Sequence, residues 1–143
     1  MILTTVASRL LDPAIAVHVV AAVLALGLGA WVLAARKGTR SHRLAGRGWA
    51  VAMAVTAASS FFIAPRILPV ATPLGSFGPI HLLSAFTLLA LWQAIAAIRR
   101  GDVARHRRAM LRAFSGLAVA GVFALLPGRA LNAWMVALSG MAG

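Results

Sequence analysis

Residues 99–112 read RRGDVARHRRAMLR, a short basic segment between two long apolar runs. Residues 36–47, RKGTRSHRLAGR, repeat its plan: two cations, a glycine, a helix-capping residue and then an Arg- and His-rich start to the next apolar run. A glycine followed at once by a capping side chain is typical of a tight turn between antiparallel helices. Each basic segment therefore predicts the turn of a helical hairpin.

The repeat extends back into the preceding apolar runs. His18 lies 20 residues before Gly38, and His81 lies 20 residues before Gly101. The identical spacing predicts that the chain is a duplicated hairpin. Two tandem hairpins that enter and leave by the same face are related by a pseudo-twofold axis along the membrane normal.

Composition assigns the chain to membrane proteins. Its 143 residues are 62% hydrophobic and only 11% charged, far from the usual composition of soluble domains. Four runs are long enough for the ~20 residues that a spanning helix needs, at about residues 13–37, 40–64, 79–100 and 103–126. The alternating pattern of a barrel is absent. We predict an all-α, polytopic four-helix bundle that forms a single domain over residues 1–143.

The segments outside these runs are too short to span. Residues 1–12 and 130–143 carry apolar side chains at helical spacing, which predicts helices that lie at the membrane interface. Asp12 and Pro13 read as the N-cap and first residue of the first spanning helix. The connection from Pro65 to Pro79 contains four prolines, so we expect an ordered, non-helical crossing.

The positive charge is concentrated at the two turns. Of fourteen cations, five lie at the first turn and six at the second. They are Arg36, Lys37, Arg40, Arg43 and Arg47, and then Arg99, Arg100, Arg105, Arg107, Arg108 and Arg112. The positive-inside rule places these turns in the cytoplasm and both termini outside, in a cell inner membrane. We expect anionic lipids at this basic rim and no nucleic-acid partner.

Histidine is the only strong candidate for a haem or soft-metal ligand, because the chain has no cysteine. At 1.5 Å per residue, His18 and His81 both lie about 29 Å from the cytoplasmic turns. His42 and His106 lie roughly 4 to 6 Å from the same turns. The four histidines therefore form an outer and an inner layer, and ionisable residues inside a membrane are functional by default.

This arrangement resembles the dihaem core of the cytochrome b561 family, in which the first and third helices supply one histidine pair and the second and fourth the other. The resemblance covers helix order, duplication and histidine placement over about residues 13–129. The sequences at 37–49 (KGTRSHRLAGRGW), 78–83 (GPIHLL) and 99–110 (RRGDVARHRRAM) look closer to small bacterial four-helix membrane proteins of unknown function.

The first resemblance implies a b-type cytochrome that moves electrons across or within the membrane, a transmembrane oxidoreductase with a quinone as candidate partner. It implies one or two haems b with iron ligands among His18, His81, His42 and His106. The outer pair is favoured, because the inner pair is flanked by arginines at the rim. Arg66 and Arg129, matched at the outer helix ends, could grip haem propionates or only stop the helices at the headgroups.

Simpler readings stand beside this one. His18 and His81 could be a hydrogen-bonded pair, and small residues after His18 (Ala22, Ala25 and Gly29) could serve helix packing as well as a flat ligand. Trp31, Trp49 and Trp134 read as interfacial anchors. The alternative functions are a histidine-based proton or metal-ion module, or a structural subunit that scaffolds a complex or a homo-oligomer. With Asp12 and Asp102 as the only acids, hydrolytic chemistry is excluded.

Overall fold

The computed structural model describes residues 12–63, 70–72 and 75–126. In that part of the chain four helices carry nearly all of the structure, as the predicted all-α membrane bundle requires. The elements in order are α1 (Pro13–Ala34), α2 (Arg40–Ser60), β1 (Val70–Thr72), β2 (Gly75–Phe77), α3 (Pro79–Arg99) and α4 (Val103–Leu125). The interfacial segments predicted at 1–12 and 130–143 lie outside the described residues, apart from Asp12.

Capping residues fix where three of the helices begin. Asp12, Thr39 and Asp102 each accept a hydrogen bond from a backbone N–H in the first turn of the following helix, at 2.9, 3.2 and 2.8 Å. Such caps satisfy donors that have no partner within the helix. Gly38 and Gly101 have φ of 79° and 77°, the left-handed backbone that glycine adopts without strain. The predicted caps and turn glycines are therefore confirmed.

The first turn is longer than the sequence indicated. We expected the first helix to continue to Lys37, but α1 ends at Ala34. The Lys37 ammonium folds back onto the helix end, where it donates to the carbonyls of Val32, Leu33 and Ala35. A cation that satisfies the last carbonyls is a common way to end a helix. In the second hairpin, α3 continues to Arg99 and the turn is shorter.

The helices pack as two hairpins side by side. α1 packs along α2 and α3 along α4, while α2 also contacts α3 and α1 contacts α4. A pseudo-twofold axis between the hairpins requires this set of neighbours. The centre is filled by a cluster of Ala25, Trp49, Met53, Ala90, Leu91, Ala113 and Leu117. Trp49 is only 2% exposed, so its assignment as an interfacial anchor is wrong. Trp31 is half exposed, as an interfacial anchor would be.

Lipid-facing surface covers the outside of the bundle. α1, α3 and α4 are long and apolar enough to cross a membrane, by length and composition. α2 falls short mainly because Arg40, Arg43 and Arg47 occupy its first turns. It also buries a polar face, with Thr56, Ser59 and Ser60 turned inward. Its outward face is nevertheless apolar, with exposed Leu44 and Val51. This apolar outward face is the part of α2 that is suited to contact lipid.

The connection between the hairpins contains a short antiparallel ladder. Val70 pairs with Phe77, and Thr72 pairs with Gly75. The expected non-helical crossing is confirmed for the residues described, although the strand pairing itself was not predicted. The connection leads directly to Gly78, the N-cap of α3.

Candidate functional site

His18 links α1 to α2 in the outer layer of the bundle. Its Nδ1 lies 2.9 Å from the Thr56 carbonyl oxygen and 3.2 Å from Ser59 Oγ. A carbonyl can only accept, so Nδ1 carries the proton and Nε2 is the unprotonated nitrogen of the neutral ring. Metal-ligating histidines are commonly oriented in this way, by an Nδ1–H that donates to a backbone carbonyl.

Serine and threonine hydroxyls surround this bond. Thr56, Ser59 and Ser60 each donate to a carbonyl three or four residues earlier on α2. Ser60 Oγ is also hydrogen-bonded to Ser84 Oγ at 2.6 Å, which joins the two hairpins. This α2 patch therefore bonds both to backbone carbonyls of its own helix and to a neighbouring helix. Ser84 was missed, although its position three residues after His81 places it on the same helix face.

His81 bonds to the start of its own helix, whereas His18 bonds to a neighbouring helix. Its ring Nδ1 accepts a hydrogen bond from the Gly78 backbone N–H at 3.1 Å, while the His81 backbone N–H donates to the Gly78 carbonyl at 2.9 Å. The ring is 4% exposed and lies 5.6 Å, centroid to centroid, from the ring of Phe61. Because Nδ1 accepts, the proton of the neutral ring is on Nε2. The two outer histidines are therefore opposite tautomers, although the sequence treats them as equivalent.

The two inner histidines also differ in their hydrogen bonds. His106 Nδ1 donates to the Ala94 carbonyl of α3 at 2.9 Å, so Nε2 is the unprotonated nitrogen of the neutral ring. His42 Nδ1 is buried and has no hydrogen-bond partner in the described part of the chain. An unsatisfied buried polar atom costs about 1–3 kcal/mol, which makes His42 a position that a ligand or a water would stabilise.

An apolar layer separates the two polar ends. His42 and Thr56 lie 14 residues apart on α2, or about 21 Å. Between them Trp49 and Met53 are 2% and 1% exposed and belong to the central apolar cluster. Trp49 Nε1 is buried without a hydrogen-bond partner among the described residues. The polar groups of the outer layer therefore do not continue to the inner layer through this cluster.

The small-residue stripe of α1 serves packing in this structure. A Cβ added to Gly29 would overlap Trp49 Nε1 and lie 2.6 and 2.8 Å from ring carbons of Phe114. Protein side chains therefore occupy the space that could have held a flat ligand. Met110 packs against the central cluster as well.

The four histidines differ in how well their ring tautomer suits haem-iron ligation. His18 and His106 present an unprotonated Nε2, whereas His81 presents a protonated one. The structure gathers no group of three or more His, Cys, Asp or Glu side chains within the described ranges, so a closed metal-ion site is not formed there. Arg66 and Arg129, the predicted propionate partners, lie outside the described residues.

Residues 15–138 match the model of a family described as "Predicted membrane protein (DUF2306)", and the chain belongs to this family. This match confirms the predicted likeness to small membrane proteins of unknown function. No curated protein and no solved structure matches the chain. The likeness to the cytochrome b561 core stays a prediction.

Proposed function

We propose that this member of the family is a b-type membrane cytochrome, in which histidines at the two ends of the bundle hold haem iron and electrons pass between them. The observation that carries the proposal is the buried apolar layer between two histidine layers. Protons need a chain of hydrogen-bonding groups, which this layer interrupts. Electrons tunnel through packed side chains and need no such chain.

The orientation of two imidazoles supports iron ligation. His18 and His106 each hold Nδ1–H against a carbonyl of the neighbouring helix, at 2.9 Å in both cases. This bond fixes the ring and raises the basicity of Nε2, the nitrogen that would ligate iron. His18 is therefore the first ligand that we assign to the outer layer, and His106 the first in the inner layer.

The second ligand in each layer follows from the repeat. In the outer layer it would be His81, whose Nε2 could ligate iron only with the ring proton on Nδ1, in the tautomer that cannot accept the Gly78 N–H bond. In the inner layer it is His42, whose buried Nδ1 has no partner among the described residues. A bound haem would supply the one-electron chemistry, and the protein would supply imidazole ligands and an apolar surrounding that tunes the potential.

The decisive experiment is the reduced-minus-oxidised spectrum of protein purified after expression with ample haem. We expect a bis-histidine b-type spectrum, and His18→Ala should abolish the outer haem signal because one imidazole cannot fill both axial positions. Ser59→Ala is the matched control, since it removes a hydroxyl 3.2 Å from the same ring but keeps the imidazole and the Thr56 carbonyl. Colourless protein that takes up no haem on reconstitution would refute the proposal.

The same experiment separates the two layers. His106→Ala should remove a second, spectrally distinct haem and leave the outer signal in place. If His106→Ala leaves the full spectrum unchanged while His18→Ala removes it, the protein holds one haem, in the outer layer.

The rival functions need features that the described residues do not bring together. A transmembrane proton path has to cross the Trp49 and Met53 layer, and a metal-ion site has to gather more ligands than one histidine pair. Those functions would lead if no haem bound. The structural-subunit reading predicts that neither His18→Ala nor His106→Ala changes any ligand signal.

We also propose the finer topology and partners. Eleven cations at the two turns favour an inner-membrane protein with cytoplasmic turns, external termini and anionic lipids at the basic rim. A quinone is the proposed redox partner, because it is the electron carrier that dissolves in the bilayer around the bundle. A reporter fused at Gly143 should read as external, and a cytoplasmic reading would overturn the orientation.

A further inference from the structure

We propose that a cleft between α3 and α4, at the basic end of the bundle, is a specific site for the phosphate of one anionic phospholipid. The cleft is ≈ 300 Å³ in volume. Its lining is Gln93 on α3 together with Asp102, Arg105, Arg108, Ala109 and Arg112 at the turn and on α4. The site does not depend on haem, so it stands or falls separately from the proposed function.

Charge in the cleft favours an anion. Arg105, Arg108 and Arg112 follow one another at spacings of three and four residues, so they lie along one face of α4. The one carboxylate that lines the cleft is Asp102, and its Oδ1 accepts the Arg105 backbone N–H at 2.8 Å. Three guanidinium groups against one carboxylate leave a net charge of about +2. Arginine forks bind phosphate oxygens with charge-assisted, bidentate hydrogen bonds.

Depth in the membrane also fits a headgroup. Arg112 lies ten residues after Asp102, about 15 Å along α4 from the turn. Side chains on a helix lean towards its N-terminus, which for α4 is the basic end. The long Arg112 side chain therefore reaches back towards the headgroup region and the other two arginines, as arginines near helix ends do.

The first hairpin has an exposed arginine row of its own, but that row does not line the cleft at the first turn. Arg40, Arg43 and Arg47 follow one another on α2 at the same spacings of three and four residues. The cleft at the first turn is lined instead by Trp31, Ala34, Ala35, Arg36, Thr39 and Ser41. When α2 and α4 are aligned on His42 and His106, the three arginine positions correspond to Ser41, Leu44 and Gly48. All three are exposed on α2, and none carries a charge. The difference between the hairpins is therefore in the clefts: three arginines line the one between α3 and α4, whereas Arg36 is the single cation that lines the one at the first turn.

Apolar surface above the cleft favours a lipid over a free phosphate ion. Leu89, one turn deeper than Gln93 on α3, is 50% exposed. Val119, two turns deeper than Arg112 on α4, is 55% exposed. An acyl chain attached to a phosphate in the cleft would run along these side chains, which gives an amphiphile contacts that inorganic phosphate lacks.

Native mass spectrometry of the detergent-purified full chain, titrated with phosphatidylglycerol or phosphatidylcholine, tests the site. We expect one phosphatidylglycerol molecule to bind more tightly than the rest and more tightly than phosphatidylcholine. Each arginine removed should weaken that molecule's binding about fivefold, so the R108Q/R112Q double variant should lose about 25-fold. R47Q is the matched control, because Arg47 is an exposed cation at similar depth on α2, outside the cleft.

Further arms keep the result interpretable if the double variant fails to fold. R108K retains the charge but loses the bidentate fork, so it should weaken binding less than R108Q. Millimolar inorganic phosphate should not displace the bound lipid. Equal loss in R47Q, equal binding of phosphatidylcholine, or full displacement by inorganic phosphate would each overturn the proposal.

Discussion

The two hairpins share one sequence plan but are pinned at opposite ends. In the first, His18 on α1 donates to a carbonyl of α2 in the outer layer. In the second, His106 on α4 donates to a carbonyl of α3 in the inner layer. Each hairpin thus has one histidine that bonds across to its partner helix. Its other histidine does something else: His81 helps to cap α3, and the buried Nδ1 of His42 is without a hydrogen bond in the described part of the chain.

Duplication of a sequence therefore does not duplicate its hydrogen bonds. His106 follows its capping residue by four positions, whereas His42 follows its own by three. One residue turns a helical position by about 100° and raises it by 1.5 Å, enough to change which backbone carbonyl an imidazole can reach. The comparison teaches that the four histidines should be tested as individuals, because pairing by symmetry conceals their different chemistry.

The largest expected difference between the hairpins concerns a glycine in each. Gly29→Ala should lower the free energy of unfolding by about 1–2 kcal/mol, because the new Cβ overlaps the side chains of Trp49 and Phe114. Gly116→Ala should be neutral or stabilising by up to about 1 kcal/mol, since the nearest atom is Leu83 Cδ1 at 3.7 Å and alanine favours the helix. Reversible unfolding in mixed detergent and lipid micelles measures both.

Gly27→Ala is the control for α1, because nothing lies within 4 Å of the added Cβ. It should resemble Gly116→Ala. If Gly29→Ala proved as harmless as both of these variants, the close approach of α1 to Trp49 would not be a constraint on the first hairpin.

The second contrast compares the two inner histidines, whose substitutions should differ by about 1 kcal/mol in their effect on the free energy of unfolding. In haem-free protein, His106→Leu should destabilise by about 1 kcal/mol, because it removes a bond between helices. His42→Leu should be neutral or stabilising, because it removes a buried nitrogen that has no hydrogen bond to the described residues. The same unfolding assay gives the sign, and an equal loss in both variants would show that His42 has a partner.

The smallest expected effect tests the bond that joins the hairpins. A double-mutant cycle of Ser60→Ala and Ser84→Ala should give a coupling energy of about 0.6 kcal/mol, the usual size for a hydrogen bond between membrane helices. Ser59→Ala combined with Ser84→Ala is the control cycle and should give no coupling. A coupling near zero for the first cycle would mean that α2 and α3 are held by packing alone.

The helices and the tight turns could be predicted from the sequence, because they depend on short-range patterns. The caps and the turn glycines depend on residues close together in the chain, and hydrophobic runs set the helices. The end of α1 was placed three residues late, because Lys37 was counted as part of the helix rather than as the cation that caps it. A cation just past an apolar run is the signal that could have corrected this.

The candidate site was only partly predictable. Helical spacing put the histidines in two layers, but their partners are backbone carbonyls of another helix, and every residue has a carbonyl. Which carbonyl an imidazole meets depends on the rotation and register of two packed helices, and no residue pattern records that. Trp49 was misjudged for a related reason: tryptophan near a helix end is typical of an interface, while the glycine that receives it lies on another helix.

The inward polar face of α2 has a consequence for how the protein is made. Thr56, Ser59 and Ser60 are buried against neighbouring helices, and on an isolated α2 they would face hydrocarbon. Moving α2 by itself from the translocation channel into the bilayer is therefore only weakly favourable. α1, the most apolar helix, has already emerged when α2 is synthesised, and α2 packs closely against it. Biogenesis should therefore release α1 and α2 into the bilayer as one unit, with α1 as the companion that α2 needs in order to enter.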